Sequence, residues 1–134
     1  MTVQMELSRI LIREMNDYQI IELREMGGDR TFPIVIGLPE AQAIERRLQG
    51  IDIKRPQTHD LLASVIEQLG ASLTKISIND ISEHTFFAEL TVEDRDGNVI
   101  AIDSRPSDAI ALGIAQGVPI FVEEHVLEQA QNEL

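Results

Sequence analysis

Apolar and polar residues alternate from the start of the chain. Val3, Met5 and Leu7 fall on one parity, and Ile10 and Ile12 then take over on the other. A period of two predicts a half-buried strand, and the change of phase beside Ser8-Arg9 predicts a bulge or a bend within it. Met15-Asn16-Asp17 reads as a tight turn, Tyr18 to Glu25 as the returning strand, and Gly27-Gly28-Asp29 as the next break. Phe32 to Gly37 is a third short apolar strand, with Pro33 near its start, where a missing donor is tolerated. Together these segments predict an antiparallel meander.

The period then becomes helical. Pro39 suits a first helical position and Glu40 suits the positive end of the dipole. Ala41, Ile44 and Leu48 share one face, and Gly50 is the stop. A polar connector through Arg55-Pro56 leads to Thr58, which is placed to cap a second helix. Its stripe of Leu61, Leu62, Val65, Ile66 and Leu69 ends at Gly70.

Leu73 to Ile78 and Thr85 to Glu93 read as strands. In the latter, Phe86, Ala88, Leu90 and Val92 face one way and Thr85, Phe87, Glu89 and Thr91 the other. Phe87 is an aromatic on a polar face; a lone exposed aromatic needs no explanation, and in a two-sided strand it is also a candidate for a subunit contact. Asp96-Gly97 turns the chain into Val99 to Ile102. Ser107 to Gln116 is apolar nearly all round, so a helix there must be buried, with its alanines and Gly113 allowing close approach to a sheet. Val118 to Val122 gives a last strand, and the acidic end from Glu123 reads as a frayed helix. The whole pattern predicts one α+β domain over residues 1–134. It comprises a mixed, largely antiparallel sheet with three main helices packed on it.

Composition narrows the function. The chain has 134 residues, enough for one domain to bury a sizeable core, and no cysteine, which removes disulfides and thiolate metal sites. No apolar run approaches the roughly 20 residues of a membrane span, so the expectation is a cytoplasmic protein away from membranes. The net charge is −12, from 11 basic and 23 acidic residues. That balance opposes a sequence-reading DNA-binding domain, because phosphate contacts supply most non-specific affinity. It leaves room for a nuclease whose carboxylates hold cations. Arg46, Arg47, Lys54 and Arg55 lie in one short stretch, which is either a local positive patch on an acidic body or, for the two arginines ending a helix, an ordinary complement to its dipole.

Two segments resemble each other: Arg55-Pro56-Gln57-Thr58-His59-Asp60 and Asp103-Ser104-Arg105-Pro106-Ser107-Asp108. In each, proline extends the preceding arginine, a hydroxyl residue is placed to cap a helix, and an aspartate falls in the first turn. A guanidinium, backbone donors and a carboxylate thus gather at a helix N-terminus, a natural anion site. The ordinary reading of the same residues is capping and dipole chemistry, with Arg105 paired to Asp103 or Asp108. His59 in its neutral form is the candidate proton acceptor. Asp60, Asp103 and Asp108, with Glu40 further back, are the acids suited to a hard cation such as magnesium. His84 and His125 fall in a turn and in the acidic end, so no two-histidine zinc spacing exists. Phosphate-binding loops, dinucleotide fingerprints and nucleophile elbows are absent, and aromatic residues make up only 4%, too few for a stacking platform.

Four stretches then carry a resemblance. Arg30 to Gly37 with Glu40-Ala41 and Ala43-Ile44, Arg55 to Leu61, Asp103 to Leu112, and Pro119 to Val122 closely resemble the bifunctional nuclease family in order and spacing. The similarity covers about residues 3–127. It implies an α+β homodimer acting on phosphodiester bonds of both DNA and RNA. Arg55, His59 and Asp60 match the first motif, and Asp103, Arg105, Ser107 and Asp108 the second. Ala115 departs from the family, which often places a basic residue late in the last buried helix.

The leading expectation is metal-assisted phosphodiester hydrolysis. Asp60, Asp103 and Asp108 would hold the cation, His59 and the acids would carry the chemistry, and Arg55, Arg105, Thr58 and Ser107 would bind phosphate. The rival expectation is a non-enzymatic dimeric module binding a small anion or a protein partner, whose Arg-Pro motifs serve packing.

Overall fold

The computed structural model describes residues 1–13 and 15–132. Seven strands form one sheet: β1 (Thr2–Leu11), β2 (Gln19–Glu25), β3 (Thr31–Ile36), β4 (Ser72–Ser82), β5 (Thr85–Glu93), β6 (Val99–Ser104) and β7 (Ile120–Glu123). Their spatial order is β3-β2-β1-β7-β4-β5-β6. Two antiparallel meanders, β1-β2-β3 and β4-β5-β6, are thus joined by β7, which runs antiparallel to β1 and parallel to β4. The α+β class and the mixed sheet agree with the sequence. The helix count does not: there are four α-helices among the described residues, α1 (Leu38–Gln49), α2 (Thr58–Gln68), α3 (Pro106–Gly113) and α4 (Glu124–Asn132).

The phase change in β1 is a bulge, the register against β2 shifting between Leu7 and Arg9. The hairpin loop behind it is held by Gln19. Its buried amide accepts from the Arg13 N–H and donates to the carbonyls of Arg13 (3.0 Å) and Asn16 (3.2 Å). In β5, Ala88, Leu90 and Val92 are buried and Phe87 is exposed, as the alternation requires.

One core receives the inward positions of the sheet together with residues from α1, α3 and α4. Helix α3 is its centre: Ser107, Ala109, Ile110, Ala111, Leu112 and Gly113 are all buried. A Cβ on Gly113 would sit 2.9 Å from Ile76 Cδ1 and 3.1 Å from Val118 Cβ, so any side chain there would require Ile76 to turn aside and Val118 to give way. Helix α4 is no frayed end, because Val126, Leu127 and Ala130 seal the core and Arg30 ties Glu124 to Glu25. Helix α2 differs. None of its residues is buried, and Leu61, Leu62, Val65 and Leu69 all remain exposed. No helix among the described residues is long and apolar enough to cross a membrane.

Candidate functional site

The N-termini of α2 and α3 meet, which brings the two Arg-Pro segments together. His59 Nε2 in the first turn of α2 lies 2.9 Å from Asp108 Oδ1 in the first turn of α3. The other oxygen of Asp108 accepts from Arg105 Nε at 2.8 Å. Arg105 Nη2 donates to Glu40 Oε1, also at 2.8 Å, which anchors the start of α1 to the same cluster. Glu40 first, and Asp108 after it, raise the affinity of the Arg105 guanidinium for its proton. The chain His59–Asp108–Arg105–Glu40 thus links three helix starts.

It lines one end of a groove of about 850 Å³ that also includes Asp103, Thr58, Leu62, Ile66 and Ile102. Arg105 is largely exposed, whereas His59 is mostly covered. The groove is therefore polar and charged at the helix starts and apolar along α2 and β6. Chemically, it offers an imidazole fixed by a carboxylate, a guanidinium held beside it, and no continuous basic track.

Local sequence explains the helix starts, with two corrections. Gln57, not Thr58, is the cap of α2, because Asp60 Oδ2 reaches back to the Gln57 N–H at 3.0 Å and sets the first helical residue at Thr58. Arg105, not Ser107, occupies the cap of α3, because Pro106 takes the first helical position, for which its fixed φ is suited. Ser107 is consequently buried within the first turn.

Asp60 does not join the groove. Its Oδ1 lies 2.5 Å from Arg47 Nη1 and its Oδ2 2.9 Å from Arg46 Nη1. Burial pushes its carboxyl up, but the Gln57 N–H and the Arg47 and Arg46 guanidinium groups together hold it below the usual carboxylate range. Arg47 also donates to the Leu112 carbonyl at 2.9 Å, so the cluster locks α1, α2 and α3 together. Both arginines are mostly buried here, so these two contribute packing rather than an open cationic patch, while Lys54 stays exposed. Arg55 is exposed on the connector and does not line the groove.

The acids do not fit a divalent-cation site in this arrangement. Asp60 is taken by two guanidinium groups, Asp108 by His59 and Arg105, and Glu40 by Arg105. Among the described residues, no three histidine or acidic groups converge as ligands. The roles of Glu40, Arg46 and Arg47 as partners of motif residues were not legible from spacing. These contacts cross 13 to 65 residues of chain.

Comparison with known proteins sets this cluster in a family. A model of the bifunctional nuclease domain matches residues 21–134. An uncharacterized protein of Mycobacterium tuberculosis (strain H37Rv) is 45% identical over 121 residues, covering 90% of this chain and 71% of that protein. Bifunctional nuclease 1 of Oryza sativa subsp. indica is 25% identical over 119 residues, 86% of this chain and 36% of the plant protein. Bifunctional nuclease 2 of Arabidopsis thaliana is 24% identical over 110 residues, 80% and 33% respectively. The chain thus spans about a third of the plant relatives it matches. With a family model covering most of the sequence and the family's two Arg-Pro segments meeting at their helix starts, the chain belongs to the bifunctional nuclease domain family.

Proposed function

We propose that the chain hydrolyses phosphodiester bonds of DNA and RNA, with His59 as the proton acceptor of the reaction. The observation that carries this reading is the 2.9 Å contact between His59 Nε2 and Asp108 Oδ1 at the polar end of the groove. A carboxylate on one ring nitrogen fixes the orientation and tautomer of the imidazole, leaving Nδ1 to take a proton from water. The water oxygen bonds to phosphorus as the bond to the leaving oxygen breaks. Arg105, whose Nε and Nη2 are fixed by Asp108 and Glu40, presents Nη1 to the charge building on the phosphoryl oxygens. The family match and the names of the plant relatives support the choice of substrate.

The test is a nuclease assay on contaminant-free protein with single-stranded and duplex DNA and RNA. His59→Ala should lower cleavage by about 10²–10⁴-fold, the usual contribution of general acid–base catalysis. Full activity in that variant removes His59 from the reaction. A parallel EDTA titration decides whether a divalent cation takes part.

A second reading keeps one specific support. Asp60, Glu40 and Asp108 are all engaged by guanidinium groups, as they would be in a binding module whose motifs serve packing. Under that reading Arg105→Ala lowers the melting temperature and wild-type protein shows no cleavage.

A further inference from the structure

Beside the groove lies a second hollow, of about 560 Å³. The two spaces have Thr85, Phe86 and Arg105 in common, so the Arg105 guanidinium stands where they join. Strand β3 gives the second hollow an apolar wall. Asp17 and Tyr18 enter from the loop before β2, His84 from the turn between β4 and β5, and Ser107 from the start of α3.

Each of these residues is held in place. The buried Gln19 amide donates to the Arg13 and Asn16 carbonyls, which fixes the loop that presents Tyr18, itself 52% exposed. Phe86 is stacked on buried Phe32, with ring centroids 5.4 Å apart. Ser82 pairs with Thr85, so Glu83 and His84 form a two-residue turn, and both have left-handed backbones with φ of 50° and 65°. Asparagine and glycine are the usual residues of such a turn. A strained pair at the rim of a cavity is the kind of feature that gathers at ligand sites. Ser107 is only 5% exposed, and its hydroxyl hydrogen-bonds to none of the described residues. A ligand in the hollow can supply that missing partner.

We propose that this hollow is a subsite for a single nucleotide: it takes the nucleoside next to the phosphate at Arg105, with the base stacked on Tyr18. Its volume falls in the ordinary range of small-molecule sites. Its charges suit a ligand with two unlike ends. Arg105 attracts the phosphate, whereas the Asp17 carboxylate, which only accepts hydrogen bonds, suits an amino group of the base or a sugar hydroxyl. On a chain of net charge −12 without a basic track, phosphate contacts alone give little affinity, and stacking on an aromatic ring supplies what they lack. One ring serves one base rather than a long strand. A base reaches it only when unpaired, so the site selects single-stranded nucleic acid. Placing the reacting phosphate at Arg105 rests on the proposed hydrolytic role; the stack on Tyr18 is tested without it.

The experiment is binding of adenosine monophosphate to the whole chain, followed by calorimetry and by the NMR signals of the Tyr18 ring. Tyr18 is the only tyrosine in the sequence, so those signals report on this hollow alone. Adenosine monophosphate should shift them and should bind about tenfold more tightly than ribose 5-phosphate, toward the low end of what stacking one base contributes. Tyr18→Ala should abolish that preference, and Tyr18→Phe should retain it. No binding at ~10 mM nucleotide, weaker than any useful affinity, overturns the proposal. So does binding that leaves the Tyr18 signals unmoved, or a preference that survives Tyr18→Ala. Kinetics separate this idea from hydrolysis. With a short single-stranded oligonucleotide, Tyr18→Ala should raise KM about tenfold at unchanged kcat, as loss of uniform binding does. Cleavage with a KM indifferent to Tyr18 sinks only the subsite, whereas nucleotide bound against Tyr18 without any cleavage of nucleic acid sinks only the hydrolytic reading.

Discussion

Arg47, in the last turn of α1, places Nη1 2.5 Å from Oδ1 of Asp60 in the first turn of α2. The contact is mostly buried, with Arg46 on the other carboxylate oxygen. Removing the acid strands two cations, since Arg46 Nη2 and Arg47 Nε already lack partners in the folded chain. Asp60→Ala should therefore cost about 3 kcal/mol of stability, the scale for breaking one side of a buried pair. Urea unfolding measures it, and an unchanged midpoint would show that the cluster does not hold the helices together.

Acid should destabilise the fold through a small set of carboxylates. Asp60 lies below the usual range for the reasons given above, and hydrogen bonding from Arg30 depresses both Glu25 and Glu124. A depressed folded-state pKa means stability that is complete above the unfolded value and lost as pH falls through the folded one. Melting temperatures should thus be level near neutrality and drop below about pH 4, the ordinary carboxylate range. Added salt should weaken the Arg30 contribution, whose three side chains are partly exposed, more than that of Asp60. A melting temperature flat down to pH 2.5 would contradict this.

Asp108 has a different role from Asp60, and the two should separate experimentally. Asp108→Asn keeps the shape but loses the charge that holds His59 and Arg105. Cleavage should fall about 10²-fold, by the loss of a positioned base. The melting temperature should move by only a degree or two, because the side chain is a third exposed and surface pairs contribute little. Loss of activity together with a collapse in stability would instead assign Asp108 to packing.

Gly113→Ala tests the close approach of α3 to the sheet. The new Cβ would meet Ile76 and Val118 inside ordinary contact distance, and both neighbours are themselves packed. The expected cost is about 1–3 kcal/mol by overpacking, against the slight gain alanine usually gives a helix. Chemical denaturation gives the sign directly.

Much of this architecture was legible in the chain. The parity change after Leu7 located the bulge, the alternation along Thr85–Glu93 sorted its two faces, and the all-round apolar run near Ile110 identified the buried helix. The periodicity of α2 was equally clear, but a stripe says only that one face is apolar, not what covers it. Composition misled at the end, where glutamates suggested fraying although Val126, Leu127 and Ala130 define a core face. At the site, the likeness of the two Arg-Pro segments marked them as candidates without showing that they meet, which the contact between His59 and Asp108 supplies. The partners Arg46, Arg47 and Glu40 were not legible either, because ion pairs have no period and form wherever the fold brings opposite charges together.

The position of β7 has a consequence for how the molecule is made. Within the sheet of the described residues, this four-residue strand joins the two meanders, yet it follows both in the chain. During synthesis the halves must wait, with β1 and β4 left as additional open edges, until residues 120–123 emerge and slot between them. Such a late, non-local closure makes the joining step slow and leaves the unfinished chain prone to sticking through those edges. A ribosome-bound chain stopped at Pro119 should be protease-sensitive, and one extended far enough to expose Asn132 should become resistant in a single step.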